Sequence, residues 1–333
     1  MPEVATDNDV ILEIRDLHSY FFTKDGVVKA VNGVNLSLKR QMVLGILGES
    51  GCGKTTTALS ILDLLPFPGE VVDGEIIFKG KDLLGMDEEE IRLVRGNEIS
   101  ISFQDATSAL NPVTTVGSQV EEVITAHYEV SPEEARDRAV EALERMELPD
   151  PGDLAQRYPF QLSGGMSQRV MMAMALALEP EVLIADEPTS AVDVTVQAYM
   201  VDRLRKLKEE RSASIILISH DLGVIAQLAD MVAVMYAGSI VEYSDTTTVF
   251  QRPSHPYTAA LIESVPRIDR PDRRLKALGG TPPSLLDPPD ECPFIPRCNK
   301  ALSKCRTSPQ PDLEELEPGH GVACYNRVLH DWD

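Results

Sequence analysis

No stretch of this 333-residue chain approaches the ~18–20 consecutive apolar residues that a membrane-crossing helix requires. The longest, 171–178 (MMAMALAL), suits a buried helix. The opening MPEVATDND has neither a basic start nor an apolar core, so it does not read as a signal peptide. The expectation is a chain that stays in the cytosol and meets a membrane only through partners, at its cytoplasmic face. Cations are scarce, 31 Lys+Arg against 53 Asp+Glu for a net charge of −22. That balance excludes nucleic-acid binding over a broad surface, which rests on cationic phosphate contacts. The acidic residues are spread along the chain, as suits solubility in concentrated salt, where the Debye length falls to ~3 Å. A salt-loving (halophilic) source is the corresponding expectation. Cysteine is almost absent from the first 290 residues: Cys52 stands alone, and Cys292, Cys298, Cys305 and Cys324 crowd near the end. There is no internal repeat and no low-complexity tract. What remains, 43% hydrophobic residues in an ordinary mixture, supports one large domain or a domain with an appendage.

Residues 10–17 (VILEIRDL) and 31–38 (VNGVNLSL) alternate apolar and polar side chains, the pattern of strands with one buried face. Residues 42–47 (MVLGIL) are almost continuously apolar, which predicts a strand buried on both faces. A glycine-rich turn and a helix over about 54–65 follow. Further buried strands are expected at 98–103, 181–186 and 214–219, with helical segments between them, so the sheet should be largely parallel with helices on its faces. Residues 116–178 read as mostly helical; Ser131 caps a helix there, with Pro132 in its first turn and Glu134 reaching back. From about Pro253 prolines cluster and loops dominate. The boundaries expected are an α/β domain over 1–250, with a helical subdomain inserted at about 107–178, and a Cys-rich, loop-dominated extension over 251–333.

The strongest chemical signal is Gly48-Glu-Ser-Gly-Cys-Gly53-Lys54-Thr55, a G-x-x-x-x-G-K-[ST] run between a buried strand and a helix, which is the setting of a P-loop. Gly48, Ser50, Gly51, Gly53 and Thr56 belong to a cradle whose backbone N–H groups face phosphate oxygens. The helix that follows adds its positive end. Lys54 is placed to reach the β- and γ-phosphates and Thr55 to ligate Mg²⁺. Residues 182–187 (VLIADE) bring two carboxylates to the C-terminal end of a buried strand, the edge at which open α/β sheets bind ligands. Asp186 is expected to hold Mg²⁺ and Glu187 to polarise the attacking water, since phosphoryl transfer needs little beyond positioning, a metal and charge stabilisation.

Leu162-Ser163-Gly164-Gly165-Met166-Ser167-Gln168-Arg169 resembles the signature of the ABC ATPases. Other matches follow in the family's order. Gln104 in Ser102-Phe103-Gln104-Asp105 looks like the Q-loop, and Ser190-Ala191-Val192-Asp193 like the D-loop, with Val192 where Leu is usual. His220 in Ile218-Ser219-His220-Asp221 looks like the switch histidine. Tyr20-Phe21-Phe22 lies where the family stacks adenine, Phe21 fitting best by its offset from Leu17. The resemblance spans roughly residues 10–250. It implies an α/β P-loop NTPase fold and ATP with Mg²⁺ as ligands. It further implies that Gln104 senses Mg²⁺ and the water, that His220 contacts the γ-phosphate, that Asp193 belongs to the nucleotide-binding set, and that Ser163, Gly164 and Gly165 act across a head-to-tail pair of subunits holding two ATP molecules.

Beyond residue 230, Met235-Tyr236-Ala237-Gly238, Ile240-Val241-Glu242 and Phe250-x-x-Pro253-x-His255-Pro256-Tyr257-Thr258 resemble the ATPases of oligopeptide/dipeptide importers. So do Val27-Val28-Lys29-Ala30-Val31 and Asn111-Pro112. Ala106 departs from that class, which usually carries Pro there. This resemblance implies a paralogous ATPase partner in a heterodimer, two transmembrane permeases docked on the region Gln104 to Arg169, and, indirectly, an extracellular solute-binding protein. Substrates in the class include peptides, nickel complexes and some sugars. A soluble repair or translation ABC machine, an ATP sensor without turnover and an exporter ATPase are the alternatives. The absence of a heptad run, the charge, the single cassette and the intact Glu187 and His220 count against them.

Cys292, Cys298, Cys305 and Cys324 are spaced C-x5-C-x6-C-x18-C, wider than the C-x2–4-C pairs of structural zinc sites. In a reducing cytosol metal is favoured over disulfides, either Zn²⁺ or an iron–sulfur cluster, with unmetallated cysteines as the remaining alternative. The Cys-Pro-Phe-x-x-Arg-Cys extension resembles one that carries a [4Fe–4S] cluster in some members of the class, and that cluster is the expectation. Nothing in the sequence links this tail to phosphate chemistry, so its role is expected to be structural.

Overall fold

The computed structural model describes residues 9–190, 193–210, 213–264 and 278–330. They fall into two compact units, one of the described residues within 9–39, 43–84 and 219–330, the other of those within 40–42 and 85–218.

In the first unit, the alternating segments form a long antiparallel hairpin, Val10–Thr23 with Gly26–Lys39. Gly69–Phe78 pairs on its other side, followed by the short Lys81–Asp82. Leu17, Val31, Val34 and Ile76 are fully buried beneath it. The hairpin is longer than the sequence pattern indicates, because register shifts along Val10–Thr23 break strict alternation. Strand Val43–Leu47, buried at every position, runs parallel to Met231–Tyr236. Met231–Tyr236 in turn pairs antiparallel with Ser239–Asp245. Most of the described residues beyond 278 lie in loops, as expected, but short strands among them extend the sheet. Strands His320–Val322 and Glu314–Glu317 continue this sheet from the edge of Ser239–Asp245, and helix Pro256–Glu263 packs in the same unit. A buried carboxylate fastens the join: Glu242, fully buried, accepts the N–H groups of Ser254 and His255 (2.7 and 2.9 Å) and lies 3.0 Å from His320 Nε2.

In the second unit, Ile99–Ser102, Val182–Asp186 and Ser214–Ser219 are parallel neighbours. The last two are buried throughout, the signature of strands covered on both faces. Helices Val116–Thr125, Pro132–Arg145, Pro151–Ala155 and Gly164–Leu176 pack on one another. Ser131 caps the second as expected, accepting from Glu134 N–H at 3.2 Å. Glu134 does not reach back; its carboxylate pairs with Arg138 one turn on, at 2.6 Å.

Candidate nucleotide site

The glycine-rich loop, the expected phosphate cradle, occupies residues 48–53, between strand Val43–Leu47 and helix Lys54–Ile61, which ends four residues earlier than the sequence suggests. Two of its glycines are obligatory. A Cβ on Gly48 would collide with the Met235 carbonyl oxygen, and Gly53 combines φ +110° with a carbonyl of Ala30 where its Cβ would lie. Ser50, Gly51 and Thr55 are exposed, and nothing lies within 4 Å of a Cβ built on Gly51, so the loop is open on that side. Thr56 is half-buried, and its carbonyl accepts the Ser60 hydroxyl at 2.8 Å. Lys54 is 7% exposed, and its ammonium donates to the carbonyls of Gly48 and Glu49 at 2.8 and 3.0 Å. Cys52 lies beneath the loop, its thiol pushed up chiefly by burial. Of the aromatics, Tyr20 donates its hydroxyl to Asn32 (2.9 Å), Phe21 lies against Gly69, and Phe22 is 46% exposed. His220 is exposed in the bend after Ser214–Ser219, and Asp221 beside it caps helix Leu222–Leu228.

The second unit holds the carboxylates. Asp186 ends strand Val182–Asp186 and is 1% exposed; Glu187 follows, 5% exposed. Glu187 has φ +50°, a left-handed backbone that costs a non-glycine residue about 1–3 kcal/mol and persists only where its surroundings enforce it. Here they do: its N–H donates to Ile218 and its carbonyl accepts from Ser190 N–H, at 2.9 and 3.0 Å. The Ser190 hydroxyl donates to the Gln104 carbonyl at 3.3 Å, so the loop after the carboxylates is tied to the exposed Gln104 turn. Asp105 caps helix Ala106–Ala109, and the hydrogen bonds from Ser108 hold its carboxyl below the usual range. Ala106 occupies the first helical position, where proline also fits, so the departure noted above leaves the turn intact.

In the same unit Ser163 caps helix Gly164–Leu176, accepting from Met166 N–H at 3.3 Å. Ser163 and Gly164 are exposed, while a Cβ on Gly165 would lie 2.6 Å from Val196. Asp193 accepts from the N–H groups of Thr195 and Val196 (2.9 and 3.0 Å) and so caps helix Val194–Glu209. Ala191 and Val192 lie outside the described residues.

Residues 31–190 match the family profile of ABC transporters, and residues 241–305 that of the oligopeptide/dipeptide transporter C-terminal region. A probable peptide ABC transporter ATP-binding protein of Sinorhizobium fredii is 47% identical over 326 residues, 97% of each chain. The chain belongs to the ATP-binding subunits of the oligopeptide/dipeptide ABC transporters. The dipeptide transport ATP-binding protein DppD of Bacillus subtilis is 43% identical, over 97% of this chain and 94% of its own. OppD of Escherichia coli, an oligopeptide transport ATP-binding protein, is also 43% identical, over 98% and 96%. Among solved structures, a dimeric ATP-binding cassette in a post-hydrolysis state with ADP and Pi is similar at 29% identity and TM-score 0.65, over 71% of this chain and 98% of that one. ABC subunits of this kind hydrolyse ATP to power transport and work from the cytoplasmic side with transmembrane permeases and a solute-binding protein. No helix among the described residues of this subunit is long and apolar enough to cross a membrane.

The ABC subunit's C-terminal region departs from the expectation in two ways. Cys292, Cys298, Cys305 and Cys324 line one cavity of about 20 Å³. Yet among the described residues no group of three or more His, Cys, Asp or Glu is arranged to hold a metal ion. Burial pushes the thiols of Cys292, Cys298 and Cys324 up, Cys324 to about 11. The expected [4Fe–4S] cluster, like its Zn²⁺ alternative, therefore has no preformed site here. Nor is the tail isolated from the glycine-rich loop at residues 48–53. Arg297 grips the carboxylate of Glu49, inside the phosphate loop, at 2.6 and 2.8 Å. Sequence reasoning missed this pair because no local pattern links residues 248 positions apart.

Proposed function

We propose that this chain drives the uptake of dipeptides or oligopeptides through partner permeases. The carrying observation is whole-length similarity to peptide-transport ATP-binding proteins, together with the match of residues 241–305 to the class-specific C-terminal region. In this reading residues 1–250 act as the ATPase and 251–333 as the class-specific extension. Phe21 faces adenine, and the backbone of Gly48, Ser50, Gly51, Gly53 and Thr56 cradles the phosphates, with Lys54 as the point charge. Thr55, Asp186 and Gln104 hold Mg²⁺, which would neutralise charge developing on the phosphoryl oxygens. Glu187 orients and polarises the attacking water, and His220 contacts the γ-phosphate. Asp193 belongs to the nucleotide-binding set. Ser163, Gly164 and Gly165 act on the nucleotide of a second, paralogous ATPase subunit, so that ATP holds the pair closed and hydrolysis releases it.

The permeases dock on the region Gln104 to Arg169. The exposure there of Val113 (80%) and of Phe160 (73%), stacked on Tyr158 at 5.5 Å, supports that reading. Nickel complexes and sugars are the rival cargoes. Reconstituting the chain with its permeases and binding protein in vesicles tests the proposal: peptide-loaded binding protein should raise ATP turnover and accumulate labelled peptide. Stimulation only by a nickel complex or an oligosaccharide would contradict it.

Two finer readings go with this function. Four cysteines line one cavity but form no preformed metal site among the described residues, so a [4Fe–4S] cluster would have to organise its own ligands on binding. Anaerobic purification tests that reading by iron and sulfide content, and colourless protein with one zinc contradicts it. The net charge of −22 supports a salt-loving source. Stability that rises steeply toward molar KCl agrees with that, and indifference to salt does not.

A further inference from the structure

Glu49 is the anchor point of the phosphate loop, and the class-specific C-terminal region supplies two of its anchors. Its N–H donates to the hydroxyl of Tyr257 at 3.0 Å. Its carbonyl accepts from Cys52 N–H (3.3 Å) and from the Lys54 ammonium (3.0 Å). Its carboxylate takes both terminal nitrogens of Arg297, at 2.6 and 2.8 Å. This is no surface ion pair: the Arg297 side chain is 3% exposed and that of Glu49 25%. Two further donors of the guanidinium are used, Nε to the Gly279 carbonyl (2.9 Å) and Nη1 to the Tyr236 hydroxyl (3.3 Å). Phe294 packs its ring against Tyr236 and Tyr257, with centroids 5.2 and 5.5 Å apart, which fixes the platform on which Arg297 and Tyr257 sit.

We propose that Arg297 is a positioning residue of the ATP site: reaching in from the C-terminal extension, it fixes the phosphate loop through Glu49 and neutralises the one carboxylate within that loop. The proposal rests on residues 48–55 being the ATP site. Two physical effects follow from the geometry. A bidentate, charge-assisted fork fixes orientation as well as distance, so it holds the loop backbone in the arrangement that receives the phosphates. The second effect is electrostatic. Without Arg297, Glu49 presents an unpaired negative charge beside the loop that must receive a polyphosphate, and like charges in a partly buried site repel strongly. Neither effect touches the attacking water, so the loss falls on ATP binding rather than on the chemical step.

The test is ATP titration and steady-state hydrolysis with the full chain. Arg297→Ala should raise both the Kd and the KM for ATP ~10- to 100-fold and change kcat by less than ~3-fold. Arg297→Lys, which keeps the charge but loses the fork, should fall between. Adding Glu49→Gln to Arg297→Ala should recover part of the lost affinity, because the unpaired charge is gone. Should Arg297→Ala fail to fold, the Arg297→Lys and Glu49→Gln single and double variants read the same coupling. Unchanged ATP affinity in folded Arg297 variants, or effects of the two positions that simply add, would overturn the proposal. Lys54→Ala distinguishes the underlying reading: if that variant also binds ATP normally, the loop is not the ATP site.

Discussion

The ammonium of Lys54 donates to the carbonyl of Gly48 at 2.8 Å. The lysine lies against the backbone of its own turn, 7% exposed, and donates also to the Glu49 carbonyl at 3.0 Å. Lys54→Ala removes a charged donor that contributes roughly 1.5–3 kcal/mol per hydrogen bond. The expected outcome is an ATP affinity lower by ~10²-fold, measured by nucleotide titration, with some loss of thermal stability because the Gly48 and Glu49 carbonyls lose their donor.

Gly165 leaves no room for a side chain, since its Cβ would lie 2.6 Å from Val196. Gly165→Ala should therefore push the start of helix Gly164–Leu176 away from helix Val194–Glu209. Overpacking of this kind costs about 1–3 kcal/mol. Turnover should drop by ~10-fold or more while ATP binding to the isolated chain is kept, because in the proposed reading these N–H groups act on the partner's nucleotide. Val196→Ala in the same chain should restore part of the turnover, since it removes the methyl groups in the way.

His255 is buried, and burial lowers its pKa from 6.5 to about 4. Its Nδ1 accepts the Tyr257 N–H at 3.0 Å, a bond only the unprotonated ring can make. The Glu242 carboxylate, which accepts the His255 N–H, pulls the other way, but less strongly. The unfolded chain thus binds this proton more tightly than the folded one. The contribution is complete above about pH 6.5 and is lost as the pH falls toward about 4. Each unit of that interval costs up to ~1.4 kcal/mol. Urea midpoints should fall with pH across this window. His255→Asn, whose side-chain oxygen can accept the same N–H without titrating, should flatten the fall.

Much of the phosphate loop is legible in the sequence because its chemistry is local. Gly48, Gly53, Lys54 and Thr55 act within eight residues, and the apolar run 43–47 announces the buried strand that delivers them. The caps at Ser131, Ser163 and Asp193 are also short-range, and so are readable. What the sequence concealed is long-range. Strand Gly69–Phe78 carries too many polar residues to announce itself and is held by its partner Val10–Thr23. Strand His320–Val322 has three residues and takes its stability from Glu242 and the edge of Ser239–Asp245. The contact of Arg297 with Glu49 has no local signature whatever, since Arg297 sits in a proline-rich turn that resembles a linker. The positive φ of Glu187 likewise comes from Ile218 and Ser190 rather than from any residue preference.

The account turns on Glu187, held at the end of a buried strand by a strained backbone as the residue proposed to polarise the attacking water. The most direct measurement is ATP turnover and nucleotide occupancy of the Glu187→Gln variant, whose side chain keeps its size and loses its charge. Loss of one such group costs ~10²-fold or more in rate. The account predicts turnover reduced by at least that factor, ATP affinity retained, and an ATP-bound dimer accumulating on size-exclusion chromatography. Wild-type turnover in that variant would contradict it.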